Sequence, residues 1–181
     1  RGIPANDVLL YWPVHHRWRD KADEAMLHHF QGHNANEWLY GTPFHNAART
    51  MRDRGYTYDY IADRQIGTLA VSGRGIETAG ETCRAILVPG CRFMPAATME
   101  KLEKLARGGA SVLFLGAPPE DVPGLGNLDR ERARFSLASK SLFRAGTVRN
   151  GVTVSTVGKG RAMVGNDLET LLAAAGVRRE F

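Results

Sequence analysis

The chain has 181 residues, a length that suits one domain, and its 43% hydrophobic content is enough for a substantial buried core. Its formal net charge is +5, but acidic residues are interleaved with the basic ones, as in the stretch RDKADEA, so the charge does not indicate a nucleic-acid-binding surface. No apolar run is long enough to cross a membrane, and we therefore expect neither nucleic acid nor membrane as a partner.

Strands and helices are predicted to share the first half of the chain. In chain order they are a strand at residues 7–12, a helix at 20–30, a helix from Thr42 to Gly55 and a strand at 56–62. The first strand, DVLLYW, is a compact apolar run, which is typical of a buried strand. The first helix is indicated by apolar side chains at helical spacing, with Asp20 as its N-cap. Thr42 caps the second helix, and Pro43 suits its first turn.

The second half continues this pattern. In chain order it contains a hairpin with Gly73 and Gly75 at its turn, a strand at 85–89, a helix at 95–109, a strand at 111–116, a helix at 128–143, a pair of strands around Gly158 and a helix at 166–176. Asn166 is the predicted N-cap of the last helix, which stops at Gly176. A strand that leads through a helix into another strand is the crossover unit of a parallel sheet. We therefore expect a single α/β domain over residues 1–181, with a three-layer, mostly parallel sheet flanked by helices and a local β-hairpin.

Two cysteines raise the question of thiol chemistry. Cys83 and Cys91 flank a strand that, at about 3.3 Å per residue, holds them about 25 Å apart, too far for a disulfide. Cys91 follows the strand AILVP and a Pro-Gly turn, which is the context of a nucleophile elbow. All six histidines precede this cysteine, so the usual order, with the basic histidine later in the chain, is missing. A histidine from the earlier segment is still able to approach in space.

The position of the elbow also argues against a catalytic Cys91. If AILVP is the strand that supplies the oxyanion turn, the elbow falls in VLFLGAPP, where Leu115, Gly116 and Ala117 offer no nucleophile. We expect Cys91 to be a small, partly buried side chain at a strand end. The alternative is a stand-alone cysteine amidohydrolase that uses Cys91, and it requires a histidine nitrogen within hydrogen-bond reach of the sulfur.

Residues 11–46 contain all six histidines and all three tryptophans of the chain. This segment begins where the first strand ends, and in open α/β sheets ligands bind at the carboxyl ends of the strands. Aromatic faces suit a sugar ring whose hydroxyls bond to histidines, but aromatic side chains also anchor interfaces with neighbouring domains. Both readings stay open for the candidate substrate-binding or interface residues, which are His15, His16, Trp18, Trp38, Tyr40 and His45.

A metal site is a further alternative for this segment. His29 and His33 are four residues apart and fall on one face of a helix. Gly32 weakens such a helix, and no HExxH pattern completes the set, so we predict no metal ligand and no cofactor in this chain. A sugar- or metal-binding module remains an alternative function, and it predicts measurable affinity for sugar or zinc.

Acidic residues outside this segment give weak signals. Asp59, Asp63 and Arg64 lie in YDYIADRQ, where we expect a surface ion pair rather than a polar site. Glu120 and Asp121 lie on a loop rich in proline and glycine, and paired acids perform glycosidic chemistry only at a set separation, which a sequence does not reveal. No catalytic residue is therefore predicted.

Four stretches, distributed over nearly the whole chain, resemble glycoside hydrolase family 106, the α-L-rhamnosidase-like enzymes. They are DVLLYWPVHHRW, WLYGTPFHNAARTMRDRGYTYDYIADRQI, AILVPGCRFMPAATMEKLEKLARGGASVLFLGAPPEDVPG and GKGRAMVGNDLETLLAAAGVRREF. The resemblance implies a class I glutamine amidotransferase-like or flavodoxin-like domain that accompanies a catalytic (β/α)8 barrel, comparable to the trimerisation domain of some β-galactosidases. The implied parent removes terminal α-L-rhamnose from polysaccharides by carboxylate catalysis with inversion, with calcium at the barrel site.

The same resemblance sets the expectations for function. The sequence starts at Arg1 without an initiator methionine, so we expect a fragment of a larger, exported, multidomain enzyme. We expect this fragment to be a non-catalytic accessory domain whose segment 11–46 faces the barrel and helps to line its sugar site. The implied partners are the catalytic barrel and β-sandwich domains of the parent, with a rhamnose-containing glycan reached through them.

Overall fold

The computed structural model describes residues 6–20, 38–73, 75–78 and 80–180. Within these ranges the strands are β1 (Val8–Tyr11), β2 (Tyr58–Ile61), β3 (Ala70–Ser72), β4 (Gly75–Glu77), β5 (Thr82–Cys83), β6 (Ala85–Pro89), β7 (Ser111–Leu115), β8 (Thr147–Arg149), β9 (Val152–Val157) and β10 (Gly160–Gly165). The helices are α1 (Val14–Asp20), α2 (Pro43–Asp53), α3 (Asp63–Thr68), α4 (Ala96–Gly108), α5 (Leu128–Leu142) and α6 (Leu168–Ala174).

The large sheet has seven strands among the described residues, in the order β2, β1, β6, β7, β10, β9, β8. The first five run parallel to one another, β9 is antiparallel to β10, and β8 is antiparallel to β9. The predicted, mostly parallel sheet is therefore confirmed. The chain places β2 on one side of β1 and β6 on the other, and such a reversal opens a crevice at the carboxyl ends of these strands.

Side chains of the central strands enter the cores on both faces of the sheet. In β1, Leu9 and Tyr11 join the core under α4 and α5, whereas Val8 and Leu10 join the core under α2 and α6. All four are at most 2% exposed. A strand that is buried on both faces needs apolar residues at consecutive positions. This explains the run of apolar residues in DVLLYW. The predicted three-layer arrangement, with helices on both faces, is confirmed.

The predicted hairpin and one predicted helix cap are confirmed. Ser72 pairs with Gly75 across the antiparallel strands β3 and β4, and β5 adds a third strand to this small sheet. Thr42 caps α2, because its side-chain oxygen accepts a hydrogen bond from the backbone N of His45 at 3.2 Å. Pro43 is the first residue of that helix, as expected.

Two predicted caps are wrong. Asp20 is itself the last helical residue of α1 and therefore not a cap, and residues 21–30 of the predicted helix lie outside the described residues. The last helix is capped by Asp167 instead of Asn166. Asp167 immediately precedes the first helical residue, so its carboxylate reaches the backbone N of Thr170 at 2.8 Å.

Some short elements were not predicted, namely α1, α3 and β8. They span three to seven residues, which is too short to show a helical or strand period. In α3 the side chain of Gln65 accepts a hydrogen bond from the backbone N of Ala62, a capping interaction that fixes the start of this helix. Across the described ranges, none of the helices combines the length and the apolar character that a bilayer crossing requires.

Candidate functional site

The carboxyl ends of β1, β2 and β6 bring distant parts of the chain together at one edge of the sheet. Tyr11 ends β1, Asp63 follows β2 after one intervening residue, and Cys91 lies two residues beyond β6. A Cβ atom at Gly90 would lie 3.5 Å from the side chain of Pro43, at the start of α2. This edge is the crevice at which the strand order reverses, where open α/β sheets bind ligands.

Asp63 is the most heavily connected polar residue of the crevice. Its Oδ1 accepts hydrogen bonds from the Tyr11 hydroxyl at 2.8 Å and from the Thr98 hydroxyl at 2.5 Å. Its Oδ2 lies 3.8 Å from Nε2 of His15. Burial, and next the negative charge of Asp63, raise the pKa of Tyr11 above its ordinary value, so this hydroxyl stays a donor. Asp63 is thus a half-buried connector: besides its contact with His15, it accepts hydrogen bonds from two other elements, which a simple surface ion pair would not do.

Cys91 is only 6% exposed, more deeply buried than expected. Burial is the main cause that raises the pKa of its thiol from 9.0 to about 12, and the negative charge of Asp63 adds to it. Cys83 is also buried, and burial followed by the charge of Glu81 raises its thiol pKa to about 12. Because the thiolate is the nucleophile, burial and these negative charges act against nucleophilic chemistry at both cysteines.

His15 and Trp18 of α1 line a cleft of about 470 Å³ together with residues at the start of α4 and in the loop that precedes α5. We call it the α1 cleft, and its lining residues are His15, Trp18, Arg19, Pro95, Ala96, Ala97, Val122, Pro123, Gly124, Gly126 and Glu131. The ring of Trp18 stands at 87° to the His15 ring with 5.4 Å between centroids. Trp18 is 49% exposed, so much of its indole is open to solvent.

Tyr40 and His45 lie in a different place, at the start of α2, with their ring centroids 4.9 Å apart. Phe44 packs against Trp12 at 4.6 Å and against Tyr60 of the edge strand β2 at 5.4 Å. We call these five residues the aromatic surface. Tyr40 and Tyr60 are more than half exposed. The sequence analysis missed Tyr60, although the alternation of tyrosines in YTYDY already pointed to an aromatic face on this strand.

The other predicted site residues fall between or outside these two groups. The His16 ring lies 6.0 Å from the Phe93 ring, and Trp38 is half-buried with its indole nitrogen shielded from solvent. His29 and His33, the proposed metal pair, lie outside the described residues. In the part of the chain that the structure describes, no group of three or more His, Cys, Asp or Glu side chains is arranged to hold a metal ion.

The two acids of the proline-glycine loop are each paired with an arginine. Glu120 lies 3.2 Å from Nε of Arg92. Asp121 accepts two hydrogen bonds from Arg132, at 2.8 and 2.5 Å, and this arginine lowers the pKa of the Asp121 carboxyl. These two acids are therefore held in ion pairs with arginines.

Comparison with solved structures shows that this arrangement of strands and helices recurs in glycoside hydrolases. A rhamnosidase from Novosphingobium sp. PP1Y superposes with a TM-score of 0.65 and 23% identity, over 97% of this chain and 14% of the rhamnosidase. A family 42 beta-galactosidase from G. stearothermophilus gives a TM-score of 0.59 and 14% identity, over 98% of this chain and 31% of that one. A beta-galactosidase from the haloarchaeon Halorubrum lacusprofundi gives 0.51 and 16%, over 99% of this chain and 32% of that one.

At these identities the solved structures establish the fold alone. The chain spans between about a seventh and a third of their lengths. No curated protein matches the chain. The model of the alpha-L-rhamnosidase family, glycoside hydrolase family 106, matches residues 23–181. Because this match covers most of the chain's 181 residues, the chain belongs to the alpha-L-rhamnosidase family, glycoside hydrolase family 106.

Proposed function

We propose that the chain is a non-catalytic accessory domain of an α-L-rhamnosidase-like glycoside hydrolase that acts on rhamnose-containing polysaccharides. The observation that carries this proposal is the state of Cys91, the residue in the position of a nucleophile. It is buried, and both burial and the charge of Asp63 act against its thiolate. The loop acids, which offered the other route to hydrolysis, are paired with Arg92 and Arg132.

The strand order supports an amidotransferase-like or flavodoxin-like origin of the domain. If the five parallel strands of the large sheet are numbered in chain order, their spatial order is 2-1-3-4-5, which is the order of flavodoxin-like sheets. In a catalytic member of such a fold, the residue after β6 or β7 would carry the chemistry. Here the buried Cys91 lies two residues beyond β6, and Gly116-Ala117 directly follows β7, which supports a degenerate, non-catalytic domain.

The aromatic surface is the face that we assign to the catalytic barrel of the parent. Tyr40 and Tyr60 expose 54% and 58% of their areas next to Trp12, Phe44 and His45, so the aromatic surface offers a neighbouring domain a group of exposed rings. Tyrosine is a preferred anchor at interfaces, because its ring is apolar and its hydroxyl finds a partner at the rim. The catalytic carboxylates, the calcium that the family resemblance implies and the β-sandwich domains belong in this proposal to the parent, which is exported. No step of the reaction passes through this chain.

A direct test is hydrolysis of an aryl α-L-rhamnoside by three proteins: the parent, this chain, and this chain with Cys91→Ala. We expect activity from the parent alone. Activity of the chain that disappears with Cys91→Ala would overturn the proposal in favour of a cysteine hydrolase. Activity of the chain that survives this substitution would also overturn it and would place the catalytic groups elsewhere in the domain.

A further inference from the structure

The α1 cleft has the features of a small-molecule site. Its volume, about 470 Å³, lies in the range of ligand pockets, which is about 300–1,000 Å³. Pro95, Ala96, Ala97 and Val122 provide an apolar wall, and the half-exposed indole of Trp18 provides a flat face. Flat aromatic faces combined with a few polar groups are the usual means by which proteins bind sugar rings.

The charges of the cleft favour a neutral ligand. Arg19 and Glu131 line it with opposite sign, and each is already engaged. The Arg19 guanidinium lies 5.8 Å from the centroid of the Phe93 ring, and Glu131 accepts hydrogen bonds from Arg134 at 2.8 and 3.1 Å. Among the described residues that line it, Arg19 and Glu131 balance each other, which makes the cleft poorly suited to a phosphate or a nucleotide.

His15 supplies a polar group to the cleft. The imidazole lies between the Trp18 ring and the carboxylate of Asp63, which Tyr11 and Thr98 hold in place through hydrogen bonds. The side chain of His15 is 37% exposed, so part of the ring is open to the cleft. A partly exposed imidazole is a suitable hydrogen-bond partner for a sugar hydroxyl.

We propose that the α1 cleft binds a 6-deoxyhexose pyranoside, namely a rhamnosyl residue of a glycan. The Trp18 indole stacks on the apolar face of the ring, His15 bonds a hydroxyl, and the wall of Pro95 and the two alanines accommodates the methyl group that replaces the hydroxymethyl group of a hexose. This proposal rests on the proposed function, since the family is the source of the rhamnose.

Calorimetric titration of the 181-residue chain with methyl α-L-rhamnopyranoside tests it. The matched sugar is methyl α-L-mannopyranoside, which differs only by a hydroxyl on C6. We expect the rhamnoside to bind and the mannoside to bind about ten-fold more weakly, because a pocket shaped for a methyl group discriminates by about that factor. Trp18→Ala is expected to weaken rhamnoside binding about ten-fold, whereas Trp18→Phe keeps most of it.

Leu137→Ala is the control variant, because Leu137 is 73% exposed on α5 and does not line the cleft. It should bind the rhamnoside like the wild type. The proposal is overturned if the wild-type chain does not bind the rhamnoside, if the mannoside binds equally well, or if Trp18→Ala leaves affinity unchanged. Such a failure is distinguishable from failure of the proposed function, because hydrolysis by the chain and by the parent is measured separately.

Discussion

The Tyr11 hydroxyl donates a hydrogen bond of 2.8 Å to Oδ1 of Asp63 and so joins the end of β1 to the start of α3. Thr98 of α4 donates to the same oxygen. One carboxylate thus holds three elements together at the edge of the sheet where the crevice opens. The α1 cleft and the buried Cys91 both lie beside this carboxylate. Loss of Asp63 would therefore affect both of them.

Asp63→Ala is expected to destabilise the chain by about 2–4 kcal/mol, because it leaves the hydroxyls of Tyr11 and Thr98 unsatisfied in a buried place. Urea unfolding followed by circular dichroism measures the change. Arg64→Ala, at an exposed neighbouring position, is the control and should change stability by less than about 0.5 kcal/mol. Equal stabilities of the two variants would contradict this role of Asp63.

Alkaline pH is expected to destabilise the chain through Cys91. Its pKa is raised in the folded chain from 9.0 to about 12, so the folded state favours the neutral thiol. The resulting stability is fully present below pH 9.0 and is lost as the pH rises from there towards 12. By about pH 10 the loss from this group is about 1 kcal/mol.

The measurement for Cys91 is the free energy of unfolding at several pH values between about 8.5 and 11, where the unfolded thiol ionises while the folded thiol stays mostly neutral. Cys91→Ala removes the titrating group, so its stability should fall less steeply over this range. Parallel slopes for the two proteins would show that the thiol ionises equally in the folded and unfolded states.

Gly160→Ala is expected to destabilise the chain by about 2–3 kcal/mol. A Cβ atom at Gly160 would overlap the backbone carbonyl oxygens of Ala106 and Ala110, where β10 crosses the end of α4. Gly67→Ala is the matched control, because Gly67 is exposed in α3 with open space around it. Alanine there should stabilise the chain by about 0.5–1 kcal/mol. Thermal unfolding separates the two effects, and a stabilised Gly160→Ala variant would rule out the close approach.

Acid is expected to weaken the contact between α4 and α5. Arg134 donates hydrogen bonds of 2.9 and 2.6 Å to Glu100, and this lowers the pKa of the Glu100 carboxyl below 4.5. A lowered pKa stabilises the folded state above pH 4.5, and this contribution is lost as the pH falls below that value. In Glu100→Gln the free energy of unfolding should fall less between about pH 5 and 3 than in the wild type. A steeper fall in the variant would be inconsistent with this ion pair.

Tyr40→Ala is expected to destabilise the parent more than the isolated chain. In the chain, 54% of Tyr40 is exposed and its ring packs on His45, so the loss is less than about 1 kcal/mol. In the parent the proposed interface covers this ring, and its removal should lower the melting temperature of the enzyme clearly. Leu137→Ala, exposed elsewhere, is the control in both proteins. An equal effect of Tyr40→Ala in both would contradict the assignment of this face.

The order of strands and helices was predicted well wherever the local sequence carries the signal. The runs AILVP and SVLFL are buried on both faces, so hydrophobicity alone marks them as strands. Thr42 and Pro43 marked the start of α2, because capping depends only on neighbouring residues. The short α1 and α3 were missed, because seven and six residues show no helical period; α3 is held in addition by the hydrogen bond from Tyr11 to Asp63, which comes from a distant part of the chain.

The sequence by itself determined the class of the domain, the family resemblance and the segment that supplies the candidate residues, because composition, hydrophobic runs and caps are local properties. Only the tertiary structure decided that His15 and Trp18 line one cleft while Tyr40 and His45 lie on another surface. It also decided that Asp63 accepts hydrogen bonds from Tyr11 and Thr98, although both are distant from it in sequence. Contacts between residues so distant in sequence depend on how parallel strands are ordered in the sheet. That order is fixed by packing over the whole chain.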